Sequence, residues 1–177
     1  MTAKKYDRKE FLPYFCLKSP VLKKSVCIVL LLVAGFISCE TINLFEKNVA
    51  IPGHAWDAAY KPEFSFDITD TTSFYNIFFV IRHTDAYGFN NIWVKATSMA
   101  PGDTTSNAER FDFLLASQDR WLGSAMDDIY EHRILFYKQP VKFRRSGPYK
   151  VKLEQVMREN PLKHVMNVGL RVEKVKS

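Results

Sequence analysis

The stretch Glu63-Phe64-Ser65-Phe66-Asp67-Ile68-Thr69-Asp70-Thr71-Thr72-Ser73-Phe74-Tyr75-Asn76-Ile77-Phe78-Phe79-Val80-Ile81-Arg82 decides the fold. Its first six residues alternate strictly, with Phe64, Phe66 and Ile68 on one side and Glu63, Ser65 and Asp67 on the other. That is the period of a strand with one face in a core and the other in water. Asp70-Thr71-Thr72-Ser73 then breaks the run with side chains that hydrogen-bond their own backbone, the composition of a turn. After the turn, apolar residues occupy both faces: Tyr75, Ile77, Phe79 and Ile81 on one, Phe74, Phe78 and Val80 on the other. A strand that is apolar on both sides belongs in the middle of a sheet.

Outward from this pair, strands are expected over 92–98, 109–115, 133–137, 141–143, 149–157 and 168–175. Turn residues separate most of them, as in Tyr87-Gly88-Phe89-Asn90, Pro101-Gly102-Asp103, Arg145-Ser146-Gly147-Pro148 and Asn160-Pro161. Short, regularly spaced strands without long helical patterns predict an all-β domain: a two-sheet antiparallel β-sandwich, Ig-like or jelly-roll-like, with one long connecting segment. That segment is 117–132. Its length marks either a functional loop or a short helical turn, which residues 125–130 could supply.

Upstream of the strands the charge is uneven. Of the net +6 on 177 residues, +5 resides in 1–38, where seven Lys and Arg face two acids; from Cys39 onward 18 basic residues face 17 acidic ones. The folded part is nearly neutral, which removes the main support for nucleic-acid binding. Residues 1–38 have the parts of a secretory signal: a basic stretch ending in Lys23-Lys24, then an apolar run over 26–37 broken only by Gly35. As a helix that run spans about 18 Å, short of the roughly 30 Å hydrocarbon core, so a removable leader fits better than a permanent span.

The run ends in Phe36-Ile37-Ser38-Cys39, which resembles a bacterial lipobox, with Phe36 where Leu is usual. The chemistry requires a thiol to form a thioether with diacylglycerol, a small residue before the cut, and a freed Cys amine able to take a third chain. Two or more chains hold a protein stably at a bilayer where one does not. Cys16 and Cys27 lie in the leader, so Cys39 is the only thiol of the mature chain and no disulfide can form within it. Its 139 residues suffice for one domain held by a packed core. The expected organisation is a signal peptide over 1–38, a lipidated tether and lead-in over 39–62, and the sandwich over 63–177.

Chemistry-bearing patterns are sparse. His54, His83, His132 and His164 sit in separate segments without ligand spacing, and no metal or cofactor is expected. Asp127, Asp128 and Glu131 lack the alternation and Gly of a calcium loop and read as an exposed acidic turn. No nucleophile elbow or phosphate loop is present, and no catalytic residues are assigned. Trp56, Trp93 and Trp121 either cap the core at sandwich ends or stand exposed to stack on sugars or anchor an interface. The basic run Lys138, Lys142, Arg144, Arg145, Lys150 and Lys152 reads as a solvated face, since Lys150 and Lys152 alternate with Tyr149, Val151 and Leu153. The interface candidates are Arg120, Trp121, Leu122 and Tyr130 in the long segment, with an inward plug formed by Trp121, Leu122 and Ile129 as the opposing reading.

The chain resembles the gliding-motility lipoprotein GldH family of Bacteroidetes. The residues that carry the resemblance run from Phe66 to Ser73 with Tyr75-Asn76, then Trp121-Leu122-Gly123 with Asp128-Ile129-Tyr130. Further on are Ser146-Gly147-Pro148-Tyr149, Glu154-Gln155-Val156-Met157-Arg158, Pro161-Leu162 and Val168-Gly169-Leu170-Arg171. The resemblance implies a non-enzymatic, lipid-anchored envelope protein that assists the machinery moving adhesins over the cell surface, partnered by the membrane and by envelope proteins. Glu40 follows Cys39, and the next residues, Thr41-Ile42-Asn43-Leu44, lack the acidic cluster that resembles a surface-export signal, which points to the periplasmic face of the outer membrane. The second functional reading is a module that binds cell-wall or foreign glycan.

Overall fold

The computed structural model describes residues 44–175, within the compact unit Asn43–Ser177. Cys39 and residues 1–38, the expected signal peptide, lie outside the described residues. In chain order the strands are β1 (Leu44–Ala50), β2 (Ala55–Trp56), β3 (Glu63–Ile68), β4 (Tyr75–Thr84), β5 (Asn91–Met99), β6 (Asn107–Leu114), β7 (Ala116–Ser117), β8 (Arg120–Trp121), β9 (Ser124–Met126), β10 (Ile129–Leu135), β11 (Gly147–Gln155), β12 (Leu162–Lys163) and β13 (Val165–Lys174). A short 3-10 turn, Pro52–His54, joins β1 to β2.

The strands form an all-β sandwich of antiparallel sheets. One sheet has the order β1-β13-β4-β10-β9 and the other β3-β11-β5-β6, with two small pairs, β12-β2 and β7-β8. The strand apolar on both faces, β4, is the middle strand of its sheet. Its inward residues Tyr75, Ile77, Phe79, Ile81 and His83 face a core that includes Phe64, Phe66, Ile92, Val94, Phe113 and Leu153 from the opposite sheet. β3 is buried at Phe64, Phe66 and Ile68 and exposed between, as its alternation requires.

Three expectations are corrected. From Leu44 onward the lead-in is part of the fold: β1 pairs with β13 over seven residues from Leu44↔Glu173 to Ala50↔Asn167, and Trp56 is fully buried, its indole N–H donating to the Tyr60 carbonyl at 2.9 Å. Residues 117–132 are not a loop with a helical turn. They fold into two hairpins, β7-β8 across Gln118-Asp119, both in the left-handed region with φ of 51° and 57°, and β9-β10 across Asp127-Asp128, where Asp127 has φ 53°. The long irregular connection is instead 136–146, which carries the chain from β10 in one sheet to β11 in the other; Val141 within it makes only a bridge to Tyr75 rather than a strand.

The motif residues brace these connections. Asp70 accepts hydrogen bonds from Thr72 N (2.7 Å), Thr72 Oγ1 (2.6 Å), Ser73 Oγ (2.7 Å) and Lys174 Nζ (2.7 Å), while the Tyr75 hydroxyl donates to the Asp70 carbonyl (2.7 Å). The Tyr149 hydroxyl donates to the Arg145 carbonyl at 3.0 Å, closing the turn that feeds β11. Buried Gln155 donates to carbonyls of Trp56 and Glu159 and accepts from Met157 N, tying β2 to the end of β11. Lys150 and Lys152 are exposed and lie beside Glu63, Lys152 at 3.1 Å, the solvated face expected of them.

Candidate functional site

The interface candidates converge on one end of the five-stranded sheet, and the two-residue period of the backbone sorts them. β8 turns Trp121 inward and leaves Arg120 exposed; Leu122 points outward and is 57 % exposed. Trp121 packs edge-on against His83 with ring centroids 4.4 Å apart and lies 5.7 Å from Tyr130 and 6.2 Å from Tyr87. Trp121 and Tyr130 are therefore brought together as part of an aromatic plug, while Arg120 and Leu122 are left at the surface. Beyond Leu122, all three residues of β9 are exposed, with Met126 at 75 %.

Two residues of the plug stand out chemically. His83 is fully buried and His132 is 3 % exposed. His83 Nδ1–H donates to the Thr84 carbonyl at 2.7 Å, since a carbonyl can only accept, and its Nε2 must then accept the 2.9 Å bond from His132 Nε2–H. Both rings are held neutral. Burial pushes His83 below the ordinary imidazole value against the pull of its Thr84 bond, and pushes His132 down to about 4, with His83 adding to the shift.

Gly123 explains how the hairpins close over this pair. A Cβ there would come within 2.5 Å of the Glu131 carbonyl oxygen and 2.8 Å of His132 Nε2, so only glycine lets the link between β8 and β9 lie this close to β10. Neither His could be singled out from sequence, because their encounter depends on the β4-β10 register, which pairs Tyr130 with His83 and His132 with Ile81. The available signal was weak: both occupy inward positions in alternating runs, His83 two residues after Ile81 and His132 two before Ile134.

The acidic turn residues do not form a cation site. Glu131 accepts from Arg82 Nε at 2.5 Å and pairs with Arg133 at 2.8 Å, and among the described residues no grouping of His, Cys, Asp or Glu could hold a metal. The three tryptophans lie apart: Trp56 buried, Trp121 in the plug, and Trp93 exposed beside Arg110, Met157 and Arg158. Half-buried Phe89 borders the same surface hollow as Trp93, and the glycan reading gains no support.

Comparison with known proteins bears on the whole domain. The family described as GldH lipoprotein matches residues 43–172. The chain is 31 % identical over 158 residues to a protein of Christiangramia forsetii named gliding motility lipoprotein GldH homolog, covering 85 % of this chain and 95 % of that one. It is 30 % identical over 158 residues to the gliding motility lipoprotein GldH of Flavobacterium johnsoniae, covering 85 % and 96 %. Among solved structures, the VP2 subviral particle of infectious bursal disease virus aligns at 14 % identity over 77 % of this chain and 34 % of that one, with a TM-score of 0.30, too low to bear on fold or function. A family match across the domain and relatives aligned nearly end to end lead to one conclusion: this chain belongs to the GldH lipoprotein family.

Proposed function

We propose that the protein is a lipid-anchored accessory component of the gliding or associated cell-surface machinery, acting by protein contact rather than catalysis. Lipid on Cys39 holds it to the periplasmic face of the outer membrane. Its partner docks on the corner formed by residues 120–126. The observation that supports this reading is the division of labour at that corner: Trp121 is fastened inward on the histidine pair, while Leu122 and Met126 stand outward on a short exposed edge, with Arg120 beside them. Exposed apolar side chains carried on a packed, half-buried anchor are the arrangement of an interface hot spot, and a three-residue edge strand is too short to recruit unwanted strands.

Cross-linking in a gliding host, followed by purification from membranes, tests both halves. A Leu122→Asp, Met126→Asp double variant should fold and remain in the membrane fraction but lose at least about fivefold in recovery of cross-linked protein, the loss expected for removing more than about 1 kcal/mol of contact. Unchanged recovery overturns the corner as the interface. Cys39→Ala should abolish fatty-acid labelling, and persistence of the label overturns the anchor.

A further inference from the structure

At the end of the sandwich away from Trp121 the sheets frame a half-open cavity of about 240 Å³. Ile77 and Leu170 line it from one sheet and Ala96 and Phe111 from the other, with Val141 and Phe143 of the 136–146 connection alongside. Residue size creates the space: along the inward face of β5, Ile92 and Val94 are followed by Ala96, so a methyl stands where its neighbours carry larger groups. The connection is fastened in place, since Tyr75 and Val141 exchange two backbone hydrogen bonds of 2.8 Å. Close-packed cores leave few voids larger than a water, and this one exceeds the roughly 150 Å³ of an apolar cavity that takes up benzene. It falls below the roughly 300 Å³ at which drug-sized pockets begin, which suits one narrow hydrocarbon chain.

The rim is cationic. Lys142 borders the cavity, its ammonium 5.9 Å from the exposed ring of Phe74, and Lys138 and Arg144 are exposed on the same connection; among the described residues these three cations form no ion pair. Glu109 is the carboxylate at the cavity, and it is engaged by the Tyr137 hydroxyl at 3.3 Å and the Asn107 amide at 2.9 Å. The cavity also lies at the end where β1 begins: the Phe45 ring is 5.5 Å from Phe66, one of its walls. Cys39 precedes Leu44 by five residues, a reach of at most about 17 Å.

We propose that this cavity binds a fatty-acid carboxylate, the tail lying between the sheets and the carboxylate meeting Lys142. Supply of the amphiphile rests on the lipoprotein reading, because a lipid on Cys39 keeps this end of the domain close to a bilayer. The apolar lining and cationic rim stand without it.

The test uses the full chain carrying Cys39→Ala, prepared unacylated and titrated with hexanoate, octanoate, decanoate and the cation decyltrimethylammonium. Affinity should rise about fourfold with each added methylene until the cavity is full, and decanoate should be preferred over the cation of the same tail. Ala96→Phe should abolish binding, and Lys142→Glu, at an exposed position, should reverse the head-group preference while leaving the fold intact. An affinity independent of tail length overturns the assignment. So does binding of both head groups alike and without response to Lys142→Glu, which would mark a bare apolar hole suited to a partner's side chain. Fatty-acid labelling of Cys39 in the unmutated protein is scored separately, so a lost anchor and an empty cavity are distinguishable.

Discussion

Nε2 of His83 and Nε2 of His132 face each other at 2.9 Å, so one hydrogen serves both rings: a second proton on Nε2 of His83 would break that bond, and one on Nδ1 of His132 would leave a buried imidazolium. The pair is enclosed by Trp121, Tyr130 and Tyr87, and none of these supplies a negative charge to compensate an imidazolium.

Acid should therefore loosen this end of the domain. His132 is held at about 4, against an ordinary imidazole value near 6.5 in the unfolded chain. Above about pH 6.5 neither state binds the proton and stability is full; as pH falls from there toward 4 the unfolded chain takes up protons that the folded chain refuses. The loss approaches about 3 kcal/mol at the low end. Thermal midpoints measured between about pH 7 and pH 5 should fall in the native protein and fall less steeply in His132→Gln, whose amide can still donate to His83 but does not titrate, leaving only buried His83 to respond. Equal slopes in the two proteins would exclude the pair as the cause.

Trp121 and Leu122 should behave oppositely despite adjacency. Trp121→Ala removes a ring that touches both histidines and Tyr130, and should cost about 3 kcal/mol, near the low end for aromatic truncations because the ring is only half-buried. Leu122→Ala should stay within about 0.5 kcal/mol, as for surface positions generally. Denaturant unfolding of the two variants side by side checks this, and comparable losses would mean that Leu122 is not the outward residue.

The turn at Asp70 gives a third test. Its carboxyl is held far below the usual carboxylate range, first by the Lys174 ammonium and then by the Thr72 and Ser73 donors. A depressed carboxylate contributes stability that is complete above the unfolded value near 3.9 and lost only as pH falls below it. Asp70→Ala should accordingly lower the thermal midpoint by a few degrees at neutral pH, with the deficit shrinking under strongly acid conditions. A deficit that stays constant to low pH would assign the effect to turn geometry alone.

What the residues disclosed in advance follows from periodicity. β3 and β4 were legible because Phe64, Phe66 and Ile68 alternate with polar residues and because β4 is apolar on both sides, and those patterns hold whatever the neighbouring strands do. β1 was missed because it lies at a sheet edge and presents Glu46, Lys47 and Asn48 in succession; its place is set by the ladder to β13 and by Arg171, which donates to Glu46 at 2.6 Å. Strands of two or three residues, such as β8 and β9, are too short to show a period at all. The histidine pair was invisible for another reason: its two members are 49 residues apart, and only the register of β4 with β10 brings them face to face.

The order β1-β13-β4-β10-β9 has a mechanical consequence. Register carries Leu44 through Glu173 to the row of Asn76, whereas Ser124 lies across Glu131 from Arg82, so the start of β1 and the exposed edge of β9 occupy diagonally opposite corners of one sheet. The diagonal runs about 20 Å along the strands and about 19 Å across them. Tension between those corners thus has a large component parallel to the strands, which strains the seven β1-β13 pairings together rather than peeling them one by one. A tether at one corner and a load at the other would meet a plate that resists sliding, and force applied at either would arrive at the other without first unravelling the edge.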